Sequence, residues 1–336
     1  MTSDERRCPA LSIRTRHPAP HVERMEGRLQ IFSGNANQPL AQEIAGYLNI
    51  NLGRAIVSRF KNGESRIKLE ENVRGSDVFV IQPTCTPVNE HLMELLLLID
   101  ALRRASAARV TAVIPYYGYA KQEKKTTGRE PISAKLVANL IRTAGAHRVL
   151  TMDLHAPAIE GFFDIPVDHL QAGPMLADYI REKSLANPVV VSPDAGGVGR
   201  ANSFRERIGA TLAIIAKQRP LPDVAEVLEM VGEVDGRTAI IVDDMISTGG
   251  TLAEAARSLK ERGAVGVYAC ATHGIFAGDA ITIMARSMLL ETVVTNTIPL
   301  PPECDGARIK VISVAPLFAE AIMRIHKDLS LSALFS

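Results

Sequence analysis

Short apolar runs rich in β-branched residues alternate along the chain with segments of helical periodicity. The runs predict strands at residues 77–82, 110–115, 148–153, 189–192, 211–216, 238–242 and 265–269. Between them, apolar positions three and four residues apart predict helices at 91–107, 133–143 and 252–263. Alternation of this kind is typical of parallel sheets with crossover helices, so the pattern predicts an α/β fold.

The order of these elements repeats once along the chain. A strand, a loop, a helix and a second strand cover residues 77–115, and the same order returns at 238–269. We therefore expect two copies of one α/β unit in tandem, although any two strand–helix–strand units would share this order. We predict an N-terminal domain at 27–168 and a C-terminal domain at 169–336, each a mostly parallel sheet flanked by helices.

Composition and charge narrow the class of protein. The chain has 336 residues with 38 basic and 37 acidic side chains. This near-neutral balance argues against general binding of nucleic acid or of a membrane surface. No apolar run approaches the ~18 residues that a membrane-spanning helix needs. Four cysteines without a CxxC pair, and no secretion signal, favour the cytoplasm.

Residues 1–26 have a different character from the rest. They are rich in Arg, Pro and His and contain no apolar stretch. Such a segment cannot contribute much to a core, so we expect a flexible N-terminal extension. An ordered arm is the alternative.

The most informative motif is AIIVDDMISTGGT at residues 239–251. It predicts a buried strand that ends in two acids, then a short loop that opens a helix. Glycines let the backbone wrap closely around an anion, and the free N–H groups of a helix start favour a phosphate. Carboxylates suit sugar hydroxyls or magnesium instead. The motif thus predicts a phosphosugar site that includes Asp243, Asp244, Ser247, Thr248, Gly249, Gly250 and Thr251; a plain strand–turn–helix is the alternative.

Two other predicted strands end in residues that could hold a metal ion. Asp153 and His155 follow one strand, and they would point the same way if that strand continued. Asp194 and a glycine turn follow another. Magnesium uses few protein ligands when phosphates and water supply the others, so one side chain from each strand end would suit it. A purely structural role for His155 is the alternative.

Two basic segments could contact phosphates. In PYYGYAKQEKK at 115–125, aromatic and basic side chains are interleaved, which suits a base and its phosphates. Nucleic-acid binding or a solvated loop are the other interpretations. Lys217 and Arg219 precede a proline-rich turn, where a mobile loop could bring both cations to a transferring phosphate. A solvent-exposed turn is the alternative there.

Two common nucleotide-binding motifs are missing. The segment GVGRAN at 197–202 begins like a dinucleotide fingerprint but has Asn202 where the third glycine belongs. No GxxxxGK[ST] sequence occurs either. The chain is therefore neither a P-loop kinase nor a typical dinucleotide-binding protein.

Taken together, these motifs give a specific resemblance. Over residues 29–335 the chain resembles the ribose-phosphate pyrophosphokinases, also called phosphoribosyl pyrophosphate synthetases. The matching segments occur in family order, and they are FSGNAN, FKNGE, ENVRG, DALRRASA, PYYGYAKQEKK, DLHA, GFFD, SPDAGGVGRA, KQRP, VDDMISTGGT and ATHGIF.

The resemblance implies a fold, a reaction and residue roles. It implies two tandem domains whose fold is similar to that of type I phosphoribosyltransferases. Members of the resembled family make phosphoribosyl pyrophosphate and AMP from ribose 5-phosphate and ATP with Mg²⁺, and they assemble as homohexamers. It further implies that ribose 5-phosphate binds the loop residues above with help from Arg219, and that Lys217 is catalytic. By the same resemblance ATP meets Asn62, Gly63, Glu64, Lys121 and Gln122, and His155 and Asp194 hold the metal.

Three positions depart from the family pattern. Lys121 stands where arginine is usual, and it lacks the planar two-pronged donor. Glu123 replaces the more common aspartate. Ser247 replaces the usual aspartate of the phosphate loop, which removes a negative charge and should not harm phosphate binding. The affinity for ATP is the property that these changes put in question.

Two other functions remain open at this level. A phosphoribosyltransferase would share VDDMISTGGT, but it needs only one domain and leaves PYYGYAKQEKK and KQRP without a role. A non-catalytic regulatory homologue should have lost the loop cations or the metal residues. Lys217, Arg219, His155 and Asp194 are all present, which favours the active enzyme.

Overall fold

A computed structural model of the chain describes residues 27–218, 227–304 and 308–334. The predicted extension at 1–26 and Arg219 lie outside these ranges. Within them, no helix has the length and apolar character required to cross a membrane.

The first half of the chain forms seven strands and three α-helices. In chain order these are β1 (Leu29–Ser33), α1 (Gln38–Tyr47), β2 (Ala55–Arg59), β3 (Ser65–Leu69), β4 (Asp77–Ile81), α2 (Val88–Arg104), β5 (Arg109–Ile114), α3 (Ser133–Ala144), β6 (Arg148–Met152) and β7 (Val167–Leu170). Five strands make a parallel sheet in the order β1-β4-β5-β6-β7, while β2 and β3 form a separate antiparallel hairpin. Strand β4, which lies between β1 and β5, is buried at every position, which explains its unbroken apolar run Val78 to Ile81.

The second half repeats this arrangement with additions. Its elements are α4 (Gly173–Glu182), β8 (Pro188–Ser192), α5 (Val198–Ile208), β9 (Thr211–Gln218), β10 (Val227–Val231), β11 (Thr238–Ile246), α6 (Gly250–Glu261), β12 (Gly266–Gly274), α7 (Ala280–Arg286), β13 (Glu291–Thr295), β14 (Ile309–Ile312) and α8 (Ala315–His326). The sheet order is β10-β9-β8-β11-β12-β13-β14. All neighbours are parallel except β9 and β10.

The two sheets share one topology. Each contains a run of five neighbouring parallel strands that follow one another in chain order. The run β1-β4-β5-β6-β7 of the first sheet corresponds to β8-β11-β12-β13-β14 of the second. The hairpin that follows the first strand is separate in one half and joins the sheet edge in the other. The predicted α/β fold with repeated units is confirmed, because both sheets carry the same order of parallel strands and crossover helices.

The halves pack against each other through a common core. One apolar cluster combines Ile31 and Leu40 from the first half with Val190 and Phe318 from the second. Helix α8, although last in the chain, packs on α1 near the beginning. The precise domain limits stay a prediction, and the predicted boundary at residue 168 falls inside β7.

Two sequence expectations about strand ends are wrong. The two acids of VDDMISTGGT do not follow their strand; Asp243 and Asp244 lie within β11, which continues to Ile246 because β12 pairs with it as far as Gly274. Strand β6 does not continue through Asp153 either. It ends at Met152, and Asp153 turns the chain with a φ of 37°.

Candidate active site

A cavity of about 680 Å³ opens at the carboxyl end of the second sheet. Ligands of open α/β sheets bind at this end of the strands. The cavity wall includes most of the side chains that the sequence singled out, together with Arg200. They come from four separate segments and are Lys121, His155, Asp194, Asp243, Asp244, Ser247, Thr248, Gly249 and Thr251.

The acid pair of β11 forms the centre of this wall. The carboxylate of Asp243 is 30% exposed, whereas that of Asp244 is almost fully buried. The Oδ1 atom of Asp243 accepts the N–H of Asp244 at 2.8 Å and lies 3.3 Å from Nη1 of Arg200. Asp244 holds His155, whose Nδ1 lies 2.8 Å from its Oδ2. The site thus alternates negative and positive groups within hydrogen-bonding distance.

These contacts shift the pKa values of the two acids in opposite directions. Burial and the adjacent carboxylate of Asp244 raise the pKa of Asp243, and Arg200 opposes this shift. Burial also acts to raise the pKa of Asp244, but the hydrogen bond from His155 and the charge of Arg200 lower it overall. In return, the hydrogen bond to Asp244 raises the pKa of His155.

The phosphate-type loop lies directly after β11. Helix α6 begins at Gly250, and its cap Gly249 has a φ of 76°, a conformation that glycine adopts easily. A Cβ atom on Gly249 would lie 3.2 Å from Met284 Cγ and 3.3 Å from the carbonyl oxygen of Ala280. The first N–H groups of a helix have no partner within it, so this glycine turn leaves donors at the cavity for an anion.

His155 is held in place by residues from both halves. The preceding Asp153 accepts the N–H of Ala172 at 3.0 Å and the hydroxyl of Thr272 in β12 at 2.5 Å. Its carbonyl oxygen lies 3.2 Å from Nε2 of the buried His273. These bonds join the turn after β6 to the second sheet, which brings His155 against Asp244.

Asp194 lines the same cavity from the turn before α5. Its Oδ1 accepts the N–H of Gly197 at 2.8 Å, and its carbonyl oxygen accepts the hydroxyl of Ser192. Within the described ranges, no three His, Cys, Asp or Glu side chains form a group that could hold a metal by itself. Both His155 and Asp194 line this cavity, so their assignment to magnesium, which would take phosphates and water for the rest of its shell, stays a prediction.

A second cavity of about 570 Å³ adjoins the first. Its wall includes Tyr116, Tyr119 and Gln122, and it shares Lys121 and Ser247 with the larger cavity. The basic and aromatic segment at 115–125 is therefore not a separate surface. It forms the partition between two adjoining spaces.

Other predicted residues lie elsewhere. Asn62, Gly63 and Glu64 form the exposed turn between β2 and β3, and they line neither of these cavities. Gly250 starts α6 without appearing in either cavity wall. Lys217 lies in β9, paired with Leu228 of β10, and its side chain is outside the described part. Arg219 lies outside it altogether.

The sequence did not single out Arg200 or the partners of Asp153. Arg200 lies in the segment SPDAGGVGRA, whose glycines resemble the start of a dinucleotide fingerprint, and that pattern gives the arginine no role. Thr272 and His273 are in ATHGIF, which was noted only for its family likeness. Their contacts join segments about 120 residues apart, so local spacing could not indicate them.

Comparison of the sequence with known proteins points to one family. Residues 29–145 match the N-terminal domain of ribose phosphate pyrophosphokinase, and residues 216–336 match the phosphoribosyl synthetase-associated domain. Ribose-phosphate pyrophosphokinases of Caldanaerobacter subterraneus and Bacillus caldolyticus are 57% and 56% identical to the chain. These alignments cover 94% and 92% of the chain and 100% and 98% of the relatives.

A solved structure supports the same relationship in three dimensions. The phosphoribosylpyrophosphate synthetase of Mycobacterium smegmatis superposes with a TM-score of 0.85 at 43% identity, covering 90% of this chain and 99% of that one. The resemblance therefore extends over both sheets and not only over the loop after β11. The chain belongs to the ribose-phosphate pyrophosphokinase family.

Proposed function

We propose that this protein transfers the β,γ-diphosphoryl group of ATP to the anomeric hydroxyl of ribose 5-phosphate. The products are 5-phosphoribosyl 1-pyrophosphate, a precursor for nucleotide biosynthesis, and AMP. The observation that carries the proposal is the pair of adjoining cavities: the sugar-phosphate loop and acid pair line one, and the basic aromatic segment separates it from the other. Two substrates that react directly need such adjacent sites.

Ribose 5-phosphate would occupy the cavity beside β11. The turn from Ser247 to Thr251 offers backbone N–H groups and hydroxyls to the 5-phosphate. Asp243 and Asp244 are acceptors that suit ribose hydroxyls, and of the two Asp243 is the more exposed to the cavity. With its phosphate at the loop and its hydroxyls at the acid pair, the ribose would extend from the loop into the cavity.

ATP would lie across the partition formed by Lys121 and Gln122. The lysine borders both spaces, so its charge can face the polyphosphate of a nucleotide that enters from the second cavity. Asn62, Gly63 and Glu64 stay candidates for the adenine on the strength of the family likeness alone. Magnesium on His155 and Asp194 would neutralise charge on the phosphates.

The chain's own contribution is positioning and charge neutralisation. The anomeric oxygen attacks the β-phosphorus, the bond between the α,β-bridging oxygen and the β-phosphorus breaks, and AMP leaves. Lys217 and Arg219 are proposed to face the charge that develops on the transferring group. By family likeness we also propose a homohexamer. The low number of cysteines, none of them in a CxxC pair, supports a cytoplasmic location.

The experiment follows the γ-phosphate of ATP by its label and the loss of the β-phosphate by the release of AMP. The purified chain is incubated with γ-³²P-ATP, ribose 5-phosphate and MgCl₂, and the nucleotides and sugar phosphates are separated by ion-exchange chromatography. We expect AMP, with the label in the sugar diphosphate, and no product when any one component is omitted or when EDTA is added. ADP together with a labelled ribose bisphosphate would indicate an ordinary kinase instead.

The other two functions give different results in the same assay. A phosphoribosyltransferase would consume supplied phosphoribosyl pyrophosphate in the presence of a base, without ATP. A regulatory homologue would form no product under any of these conditions. Either result would refute the proposed function.

A further inference from the structure

Arg200 is a cation in the wall of the cavity beside β11 whose role the family resemblance leaves open. It is the third residue of α5, and side chains in a helix lean toward its N-terminus, so Arg200 extends back toward the carboxyl end of the sheet. Its Nη1 lies 3.3 Å from Oδ1 of Asp243 and 3.6 Å from Oδ1 of Asp244. One guanidinium therefore contacts both acids.

The contacts of Asp243 leave one of its oxygens available. Oδ1 accepts the N–H of Asp244 and lies against Arg200, whereas Oδ2 makes no hydrogen bond within the described ranges. Asp244 is occupied differently, because its Oδ2 bonds His155 and its Oδ1 faces Arg200. Among the described residues, the oxygen of this acid pair without a hydrogen bond is thus Asp243 Oδ2, and the rotation of that carboxylate depends on what holds Oδ1.

The turn before α5 keeps the guanidinium close to these acids. A Cβ atom on Gly197 would lie 2.9 Å from Ser192 Oγ and 3.7 Å from Arg200 Nη1, so the backbone and the arginine pass close to each other. The side chain of Arg200 is only 26% exposed. Other charged side chains of α5 lie away from the cavity; Arg205, for example, bonds Asn202 and faces Glu206.

We infer that Arg200 is a positioning residue for ribose 5-phosphate, which fixes the carboxylate of Asp243 so that Oδ2 accepts a ribose hydroxyl. It also compensates the charge of two adjacent acids in a cavity that must admit an anionic sugar phosphate. This inference rests on the proposed function of the site. Arg200 acts on the sugar through Asp243, so its removal should weaken sugar binding far more than ATP binding.

The test measures binding of ribose 5-phosphate by calorimetry, without ATP, and then the two KM values. We expect Arg200→Gln to raise the Kd for ribose 5-phosphate about tenfold or more, and Arg200→Lys to raise it less, since lysine keeps the charge but not the fork. The KM for ATP should stay within about twofold. Arg205→Gln is the matched control on the same helix and should leave all three values within about twofold.

A double-mutant cycle separates this role from a general structural one. If Arg200 acts through Asp243, Arg200→Gln should add less than about twofold to the Kd of an Asp243→Asn variant. Multiplied effects in the double variant, an unchanged Kd in Arg200→Gln, or a loss confined to kcat would each overturn the inference. If Arg200→Gln does not fold, Arg200→Lys and its double variant decide the question by the same criteria.

The binding measurement also separates this inference from the proposed reaction. A wild-type chain that binds ribose 5-phosphate but releases no AMP would refute the reaction and leave the role of Arg200 testable. A wild-type chain that releases AMP, with an Arg200→Gln variant that binds the sugar normally, would refute only the role of Arg200.

Discussion

Lys121 is a residue at which two adjoining cavities meet. It lines the cavity that contains the acid pair of β11 and also the second cavity, where its neighbour Gln122 lies. As a lysine it presents a compact charge on a flexible stem, whereas arginine would offer a rigid pair of donors. Its effect on a phosphate should therefore be real but modest.

We expect Lys121→Ala to raise the KM for ATP and to leave that for ribose 5-phosphate unchanged. One charged hydrogen bond contributes roughly 1.5–3 kcal/mol, so the rise should be about tenfold to a hundredfold. Lys121→Arg should retain activity and lower the KM for ATP. Steady-state kinetics with each substrate varied in turn measures both values.

Lys125→Ala is the control for this prediction, because Lys125 belongs to the same basic segment but lines neither cavity. It should behave like the unmodified chain. If Lys121→Ala changes only the KM for ribose 5-phosphate, the partition does not face the nucleotide.

At the scale of elements, the junction of β11 and α6 combines a buried strand with an exposed helix start. The strand runs to Ile246, and the helix starts only four residues later at Gly250. A turn this tight needs the positive φ of Gly249, which also packs close to Met284 and Ala280 of the next helical segment. The geometry of the anion site thus depends on a residue without a side chain.

Gly249→Ala should therefore weaken the binding of ribose 5-phosphate. A left-handed conformation costs a residue with a Cβ atom roughly 1–2 kcal/mol, and the contacts at 3.2 and 3.3 Å add strain. We expect a higher KM for ribose 5-phosphate, a smaller change for ATP and a lower melting temperature. Kinetics and thermal unfolding together measure these effects.

Gly46→Ala provides the comparison, since Gly46 lies in α1 and a Cβ atom there would meet nothing within 4 Å. This substitution should preserve both KM values and raise stability slightly, because alanine favours a helix. An unchanged KM for ribose 5-phosphate in Gly249→Ala would contradict the proposed use of the loop.

At the scale of the whole molecule, a buried ionic cluster ties the end of the chain to the first sheet. Asp77 at the start of β4 is fully buried and accepts two hydrogen bonds from Arg109, at 2.8 and 2.6 Å. His326 at the end of α8 lies 2.9 Å from the same carboxylate. Arg109 also bonds the carbonyl oxygen of Ile325. The cluster thus holds α8 onto the first half.

Asp77→Ala should strongly destabilise the protein, because it leaves Arg109 without its main partner. Breaking a buried pair typically costs 3–5 kcal/mol, and the remaining exposure of Arg109 places the expected loss at roughly 3 kcal/mol. Urea denaturation measures the free energy of unfolding. Asp100→Ala, which removes an exposed pair with Arg103 and Arg104, should cost at most about 1 kcal/mol.

Equal losses in Asp77→Ala and Asp100→Ala would contradict this account of the cluster. The comparison needs fluorescence and circular dichroism to report the same transition, because a chain with two sheets could unfold in steps. If a separate early transition appears in Asp77→Ala, we expect it to be the detachment of α8 from the first half.

Much of the fold follows from local sequence pattern. The strand cores, the crossover helices and the repeated order were predictable from the spacing of apolar residues. A strand buried on both faces must be continuously apolar, and a helix packed on the sheet must have apolar residues three and four positions apart. The glycine turn before α6 was predictable from Gly249 and Gly250, since glycine readily adopts a positive φ. The two acids were expected after the strand, and they lie within it. Each of these features depends on neighbours within a few residues.

The tertiary structure decided what those features touch. Strand β11 extends past Asp243 and Asp244 only because β12 pairs with it, and His155 reaches Asp244 only because Asp153 is bonded to β12. Arg200 lines the cavity beside β11 from α5, a helix that was not among the predicted ones. Sequence alone determined which chemical groups this protein carries and in which order; their distances depend on contacts between residues far apart in the chain, which no local pattern encodes.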